Sequence, residues 1–366
     1  MSKRLPIQFN DEQLELGSSR LADLYHKLTV ELFEQMVDRL LERGTTSLTD
    51  NPYIWQLEKL NQMHALNEHN LKVISKYTDI TEEQLRNVIE GEGLKIYTDT
   101  KSQLLEDLNK DPHFDTSHVQ KQLEAYMEQA SGDINNLINT TLPNVVNEVY
   151  RNITKETVAK VATGIATPDK AIAETVMKWQ EVGFRGFKDR GGKNWRIDNY
   201  ARTVVKTTTR RVYRQMRTQP ADELGIDTFY YSKKATAREA CAPLQHHIVT
   251  YGEAREEGGY SVLSLADHGY GTPGGCLGIN CGHYLTPFVI GINDIPDLGD
   301  DVKNITPEDA IRNANAQAKQ RALERSIRDS KEKLHIANKL GDKDLIDKYK
   351  SCLLYTSDAA DDRISV

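Results

Sequence analysis

The sequence predicts a mainly α protein that carries one small glycine-rich α+β module with a Cys/His cluster. Three observations lead there. Apolar residues recur at steps of three and four through most of residues 1–182. Between 226 and 300 that pattern gives way to β-branched and aromatic residues and to glycine. A long, charged helical pattern then resumes at Thr306.

The elements follow in order. From Ser18 to Arg43, Leu21, Leu24, Leu28, Leu32, Met36 and Leu40 share one helix face, and Gly44 closes the helix. A second helical stretch from Pro52 to Lys76 holds Trp55, Leu57, Leu60, Met63, Leu66 and Leu71. Thr81-Glu82-Glu83-Gln84 and Ser117-His118-Val119-Gln120 are capping-box patterns, each predicting a helix start. Pro143 and Gly164 punctuate the helical region from Ser117 to Gly164. Thr167-Pro168-Asp169 opens the next helix, with Ile172, Val176, Met177 and Trp179.

Gly183, Gly186, Gly191 and Gly192, set among Arg185, Lys188 and Arg190, predict a mobile or tightly turning loop. Asp198 then opens a helix to about Gln219. Val205, Thr208, Val212 and Met216 fall on one face and Lys206, Arg210, Arg214 and Arg217 on another. That basic stripe reads either as a solvated face or as a contact with DNA or an acidic partner. Ile226, Thr228, Phe229, Tyr230 and Tyr231 predict a strand. From Thr306-Pro307-Glu308-Asp309 a last long helix runs towards Leu340 and breaks at Gly341. Leu323, Ile327 and Leu334 give it only a thin apolar seam, so it should need a partner. The chain thus divides into a helical region 1–182, a Gly/Arg loop and basic helix 183–225, a Cys/His module 226–300 and an extended helical region 301–351.

Composition narrows the function classes. The chain has 366 residues, 38% hydrophobic and 28% charged, with a formal net charge of −7. An acidic balance argues against a general nucleic-acid coat, although local basic patches remain. No apolar run approaches the ~20 residues that span a bilayer, and Met1-Ser2-Lys3-Arg4-Leu5-Pro6 lacks the apolar stretch of a signal peptide, which predicts synthesis in a cytosol and no membrane partner. The segment Cys352-Leu353-Leu354-Tyr355-Thr356-Ser357-Asp358-Ala359-Ala360-Asp361-Asp362 matches an in-frame translation of a common sequencing adapter. Residues 352–366 therefore read as an artefact, which would remove Asp358, Asp361, Asp362 and Arg363 from the charge count and Cys352 from the cysteine count.

The most chemistry-like region has two halves, Ala237-Arg238-Glu239-Ala240-Cys241-Ala242-Pro243-Leu244-Gln245-His246-His247 and Gly271-Thr272-Pro273-Gly274-Gly275-Cys276-Leu277-Gly278-Ile279-Asn280-Cys281-Gly282-His283. Zn²⁺ favours thiolate and imidazole in a tetrahedral set, so Cys241, His247, Cys281 and His283 are candidate ligands, with His246 a fifth residue of the cluster and zinc the implied cofactor. The single residue between Cys281 and His283 is shorter than usual finger spacing. The competing reading is buried thiols and hydrogen-bonded histidines. A third makes Cys241 or Cys281 a nucleophile with His247, His268 or His283 as base, yet no acid or amide is evidently placed to orient that base. Gly271 to Gly278 lacks the Lys-Ser/Thr of a phosphate loop, and its glycines fit tight turns and close backbone approach.

These residues resemble the phage minor capsid protein 2 family. The carrying features are the Gly/Arg stretch through Trp195, then Tyr200-Ala201-Arg202-Thr203-Val204-Val205-Lys206-Thr207, then Ala237-Arg238-Glu239-Ala240-Cys241. Gly278-Ile279-Asn280-Cys281-Gly282-His283 with Pro287-Phe288 and Gly291 follows, and finally Gln320-Arg321-Ala322-Leu323-Glu324-Arg325-Ser326-Ile327-Arg328. Asn-Cys-Gly-His departs from the family's more usual Asn-Cys-Arg-His, and Cys241 stands where many relatives have His, a change that would preserve a ligand. The resemblance implies a few-copy structural protein of a tailed-phage head, not an enzyme, located in the virion. It implies assembly with portal and major capsid protein during head assembly or genome delivery, while the basic stripe offers DNA as a further partner. The alternative is a metal-dependent or Cys/His enzyme module, toxin-like or hydrolytic, carried on a head protein.

Overall fold

In the computed structural model the described residues are 4–364 other than 43, 137–140, 189–191, 193 and 280; for 64–67, 185–188, 194 and 356–364 the backbone alone is described. The helices before the first strand are α1 (Asp11–Leu41), α2 (Thr46–Asp50), α3 (Pro52–Asn61), α4 (Met63–Arg86), α5 (Glu92–Asp107), α6 (Ser117–Asn136), α7 (Leu142–Ala162) and α8 (Pro168–Val182). A hairpin of β1 (Arg185–Lys188) and β2 (Asn194–Arg196) leads into α9 (Ile197–Leu224). Strands β3 (Thr228–Tyr231), β4 (Ile248–Thr250), β5 (Arg255–Glu257), β6 (Tyr260–Ser264) and β7 (Leu285–Pro287) follow, then α10 (Asp300–Lys303), α11 (Pro307–Leu340) and α12 (Lys343–Ile364). The mainly α expectation and the placing of the small sheet both hold.

The chain forms two compact units, each assembled from three separate segments. Unit 1 is Met1–Arg20, Glu83–Ser131 and Val204–Ala318; unit 2 is Leu21–Glu82, Gly132–Thr203 and Lys319–Val366. In unit 2 the predicted α1 stripe is the core, because Leu21, Leu28, Leu32, Met36 and Leu40 are fully buried while Leu24 is half-buried. Trp55 and the α7 face of Leu142, Val146, Tyr150 and Ile153 are buried as well. Lys59 is buried without loss, since its Nζ donates to the carbonyls of Arg39 (2.9 Å) and Glu42 (2.8 Å) at the end of α1, where free carbonyls and the helix dipole favour a cation.

Unit 1 holds a five-stranded sheet in the order β5-β6-β4-β3-β7, antiparallel except for the parallel β4/β6 pair. The β3 register follows the period of two. Phe229 and Tyr231 face a core with Cys241, Leu244, Cys276, Cys281 and Leu285, while Tyr230 joins Ile248, Val262 and Phe288 on the other face.

Three local expectations are corrected. The 52–76 stretch is two helices separated at Gln62. Thr81 lies inside α4, where its Oγ1 donates back to the Tyr77 carbonyl (2.7 Å). The hydroxyl serves the preceding turn, and burial of Val73, Ile74 and Leu85 keeps the helix continuous. At Ser117 the predicted start is right, but Asp115 caps it, accepting from the Ser117 N–H (3.0 Å) and hydroxyl (2.5 Å). The 183–192 loop is largely the β1–β2 hairpin, with Phe187 opposite Trp195; Arg190 and Gly191 lie outside the described residues.

Two polar clusters tie the units internally. In unit 2, His26 Nδ1 lies 3.0 Å from Asp198 and Nε2 lies 2.8 Å from Glu332. The bonds to Asp198 and then Glu332 outweigh burial and raise the imidazole to about 9. In unit 1, Glu223 of α9 accepts from Lys101 (2.5 Å), Tyr97 (2.8 Å), Gln219 and His118. Burial pushes its carboxyl up, but these bonds, Lys101 first, hold it down at about 2.

Opposite pH limits are therefore expected. His26 is raised from 6.5, so its contribution is fully present below pH 6.5 and is lost as the pH rises through about 9. Glu223 is lowered from 4.5, so its contribution is present above pH 4.5 and is lost as the pH falls through about 2. Thermal melts across this range should show His26→Ala flattening the alkaline limb and Glu223→Gln the acid limb. An unchanged limb in either variant would refute that assignment.

Candidate functional site

The Cys/His module is closed by backbone geometry before any side-chain chemistry enters. Gly269 and Gly271 turn at φ of +72° and +87°, the left-handed region that suits glycine. Gly275 packs so tightly that a Cβ would sit 1.9 Å from the Gly269 carbonyl oxygen, and one on Gly278 would sit 2.5 Å from that of Pro273. The close-approach reading of these glycines holds. Arg238 laces the loop to the other half, donating to the carbonyls of Gly275 (3.1 Å) and Ile279 (3.2 Å).

This closure brings together three of the four predicted metal ligands. Cys241 Sγ lies 3.6 Å from Cys281 Sγ, and Cys281 Sγ lies 3.4 Å from His283 Nδ1. All three ligand atoms fall within 4.8 Å of one another, and all three residues are buried. Cys241 lies at the head of the short 3₁₀ turn 242–244, while Cys281 and His283 lead into β7.

His247 is not brought in. It is exposed, and its Nδ1 is 2.9 Å from the Gln245 carbonyl. His246 turns at φ +64° and meets the Tyr230 hydroxyl at 3.0 Å. Gln245, buried between the two halves, takes the place that the sequence offered to a histidine. Its Oε1 accepts from the Lys234 N–H (2.6 Å) and faces His283 Nε2 (3.1 Å). An amide oxygen only accepts, so Nε2 donates to it and Nδ1 is the ring nitrogen that faces the Cys281 sulfur. A buried amide orienting an imidazole is the residue that a search for ligand types passes over.

The electrostatics agree with two sulfurs sharing one proton. The Cys241 thiol held against Cys281 pulls Cys281 well below the usual thiol range, against burial and with His283 assisting, while the same contact and burial push Cys241 up. Cys276 stands apart, its Sγ 3.5 Å from the Leu265 carbonyl and its thiol raised to about 11 chiefly by burial. At 4% and 3% exposure, Cys281 and His283 are enclosed, which is unfavourable for a nucleophile that must meet a substrate.

The predicted basic stripe on α9 turns inward. Arg217 is 1% exposed, pairs with Asp11, and lies 4.4 Å and 4.3 Å from the ring centres of Phe9 and Tyr284. Arg210 forks onto Glu15 at 2.6 Å and 2.8 Å, and the Tyr284 hydroxyl donates to the same carboxylate at 3.1 Å. Burial raises Glu15, but the Arg210 fork and the Tyr284 hydroxyl hold it below the usual range. Lys206 adds to that field, and Arg214 is half-buried with an enclosed Nε. Arg210 and Arg217 are thus occupied within unit 1 instead of forming a solvated or DNA-facing edge. An exposed basic face is found on α11: Arg321, Arg325 and Arg328, at steps of four and three.

Arg217→Ala should therefore destabilise unit 1 by about 3 kcal/mol in urea unfolding, because it leaves Asp11 without its partner and opens the ring sandwich, whereas Arg321→Ala should stay within about 0.5 kcal/mol of wild type. Equal effects would contradict this burial pattern. Gly275→Ala should cost about 2–3 kcal/mol or prevent folding, since the clash is with backbone. A neutral effect would mean that the turn does not close this tightly.

Comparison with known proteins places the chain. A family model described as phage minor capsid protein 2 matches residues 9–362. A "Structural protein" of Lactococcus phage LL-H is 30% identical over 345 residues, covering 91% of each chain. A "Structural protein" of Lactococcus phage mv4 is 38% identical over 90 residues, covering 25% of this chain and 69% of that protein. No solved structure matches. No helix among the described residues is long and apolar enough to cross a membrane. The chain belongs to the phage minor capsid protein 2 family and is a structural protein of the phage virion.

Proposed function

We propose that this head protein acts by contacting portal and major capsid protein during head assembly or genome delivery, and that it is not an enzyme. The observation that carries the reading is α11. Across residues 311–329 this helix buries no residue, yet it keeps a seam of half-buried Leu323 and Ile327. An exposed helix of this kind gains stability chiefly from a packed partner. The enclosure of Cys281 and His283 supports the non-enzymatic half of the proposal.

Co-expression of the full chain with portal protein, and separately with major capsid protein, followed by particle purification, should retain it with at least one of them. Leu323→Asp with Ile327→Asp should lower its copy number several-fold without lowering its thermal midpoint. Lack of association with either protein would overturn the proposal.

A second reading, DNA contact, is favoured by the exposed Arg321, Arg325 and Arg328 face and not by the α9 stripe. Each phosphate neutralised steepens the dependence of log affinity on log salt by about 0.9. Duplex binding whose salt slope is unchanged in the triple charge-reversal variant would exclude this face.

A further inference from the structure

We propose that Cys241, Cys281 and His283 form a structural zinc site in unit 1, with Cys241 Sγ, Cys281 Sγ and His283 Nδ1 as ligand atoms and Gln245 as the residue that orients the imidazole. His247, which the sequence offers as a ligand, takes no part.

The first argument is metric. With bonds of about 2.3 Å to sulfur and about 2.0 Å to nitrogen, a tetrahedral zinc ion separates its ligand atoms by roughly 3.5–3.8 Å. The sulfur–sulfur and sulfur–nitrogen distances are 3.6 Å and 3.4 Å. The second argument is the tautomer. Gln245 Oε1, itself fixed by the Lys234 N–H, engages Nε2 of His283 as a donor, so Nδ1, which faces Cys281, is the nitrogen left to bind an ion.

The third is enclosure. The Tyr231 side chain is fully buried, and its hydroxyl bonds to the Cys241 sulfur. Its ring is 5.1 Å from that of His283.

Chemistry selects the ion. Two thiolates and one imidazole form a soft set that suits zinc and disfavours magnesium or calcium. Burial gives the ion a structural use, since it would staple the turn after β3 to the segment entering β7 in a module with a small core.

The test uses the full chain, purified without a histidine tag, with metal content measured by mass spectrometry. Wild type and His247→Asn should each carry about one zinc per chain, and Cys281→Ser and His283→Asn should each lose most of it. Because a ligand variant can fail to fold, wild type stripped by a chelator is titrated with cobalt(II). It should develop a thiolate-to-cobalt charge-transfer band and recover the thermal midpoint lost on stripping. A folded wild-type chain that carries no zinc and gives no such band overturns the site. Loss of metal in His247→Asn as complete as in His283→Asn overturns the ligand assignment.

Discussion

Arg217 sits where water does not reach, and the organisation of unit 1 follows from how its charge is met. An isolated buried guanidinium is too costly to persist, so Asp11 supplies the countercharge and Phe9 and Tyr284 supply the two ring faces. These partners come from the start of the chain and from the segment before β7, so satisfying one side chain of α9 fixes both against it. Two helical turns away, Arg210 repeats the arrangement with Glu15, and the Tyr284 hydroxyl bonds to that same carboxylate. Tyr284 is thereby held from both its ring and its hydroxyl, and it is the immediate neighbour of His283.

Helix periodicity made the α1 core legible in the sequence, because a face of leucines at steps of three and four has few other uses. The same periodicity correctly put Lys206, Arg210, Arg214 and Arg217 on a common face but could not say which way that face turned. Its acidic partners lie 195 residues away for Glu15 and 206 for Asp11, beyond the reach of any local pattern. Thr81 illustrates the opposite limit. A threonine hydroxyl can cap a helix or bond back four residues, and only the buried run around it decides between the two. The β1–β2 hairpin was hidden because its strands are short and its glycines and charges resemble a loop in composition.

At the site the sequence named three residues, Cys241, Cys281 and His283, whose sulfur and nitrogen atoms the fold brings together. His247 lies outside the cluster: ligand chemistry gives no preference between neighbouring histidines, and the turn at His246 and the strand that follows set which side chains enter. Gln245 was passed over since a carboxamide is a poor ligand. Its importance lies in a second layer of contacts, where it selects which imidazole nitrogen is free.

The closure owes its geometry to groups other than the sulfurs. Arg238 lies three residues before Cys241 and binds carbonyls on either side of Cys276, so one side chain draws the Cys241 half and the glycine half together. Gly275, with no room for a Cβ, lets the loop fold flat on Gly269. Gln245 then aligns His283, and Tyr284 is clamped by the Arg217 and Glu15 pairs. With the Cys241, Cys281 and His283 side chains positioned by this surrounding network, the ordering cost of binding the proposed ion would fall mainly on folding and not on the binding step. The arginine pairs of α9 and the Cys/His cluster thus meet at the adjacent residues His283 and Tyr284, and a change in either should be felt at the other.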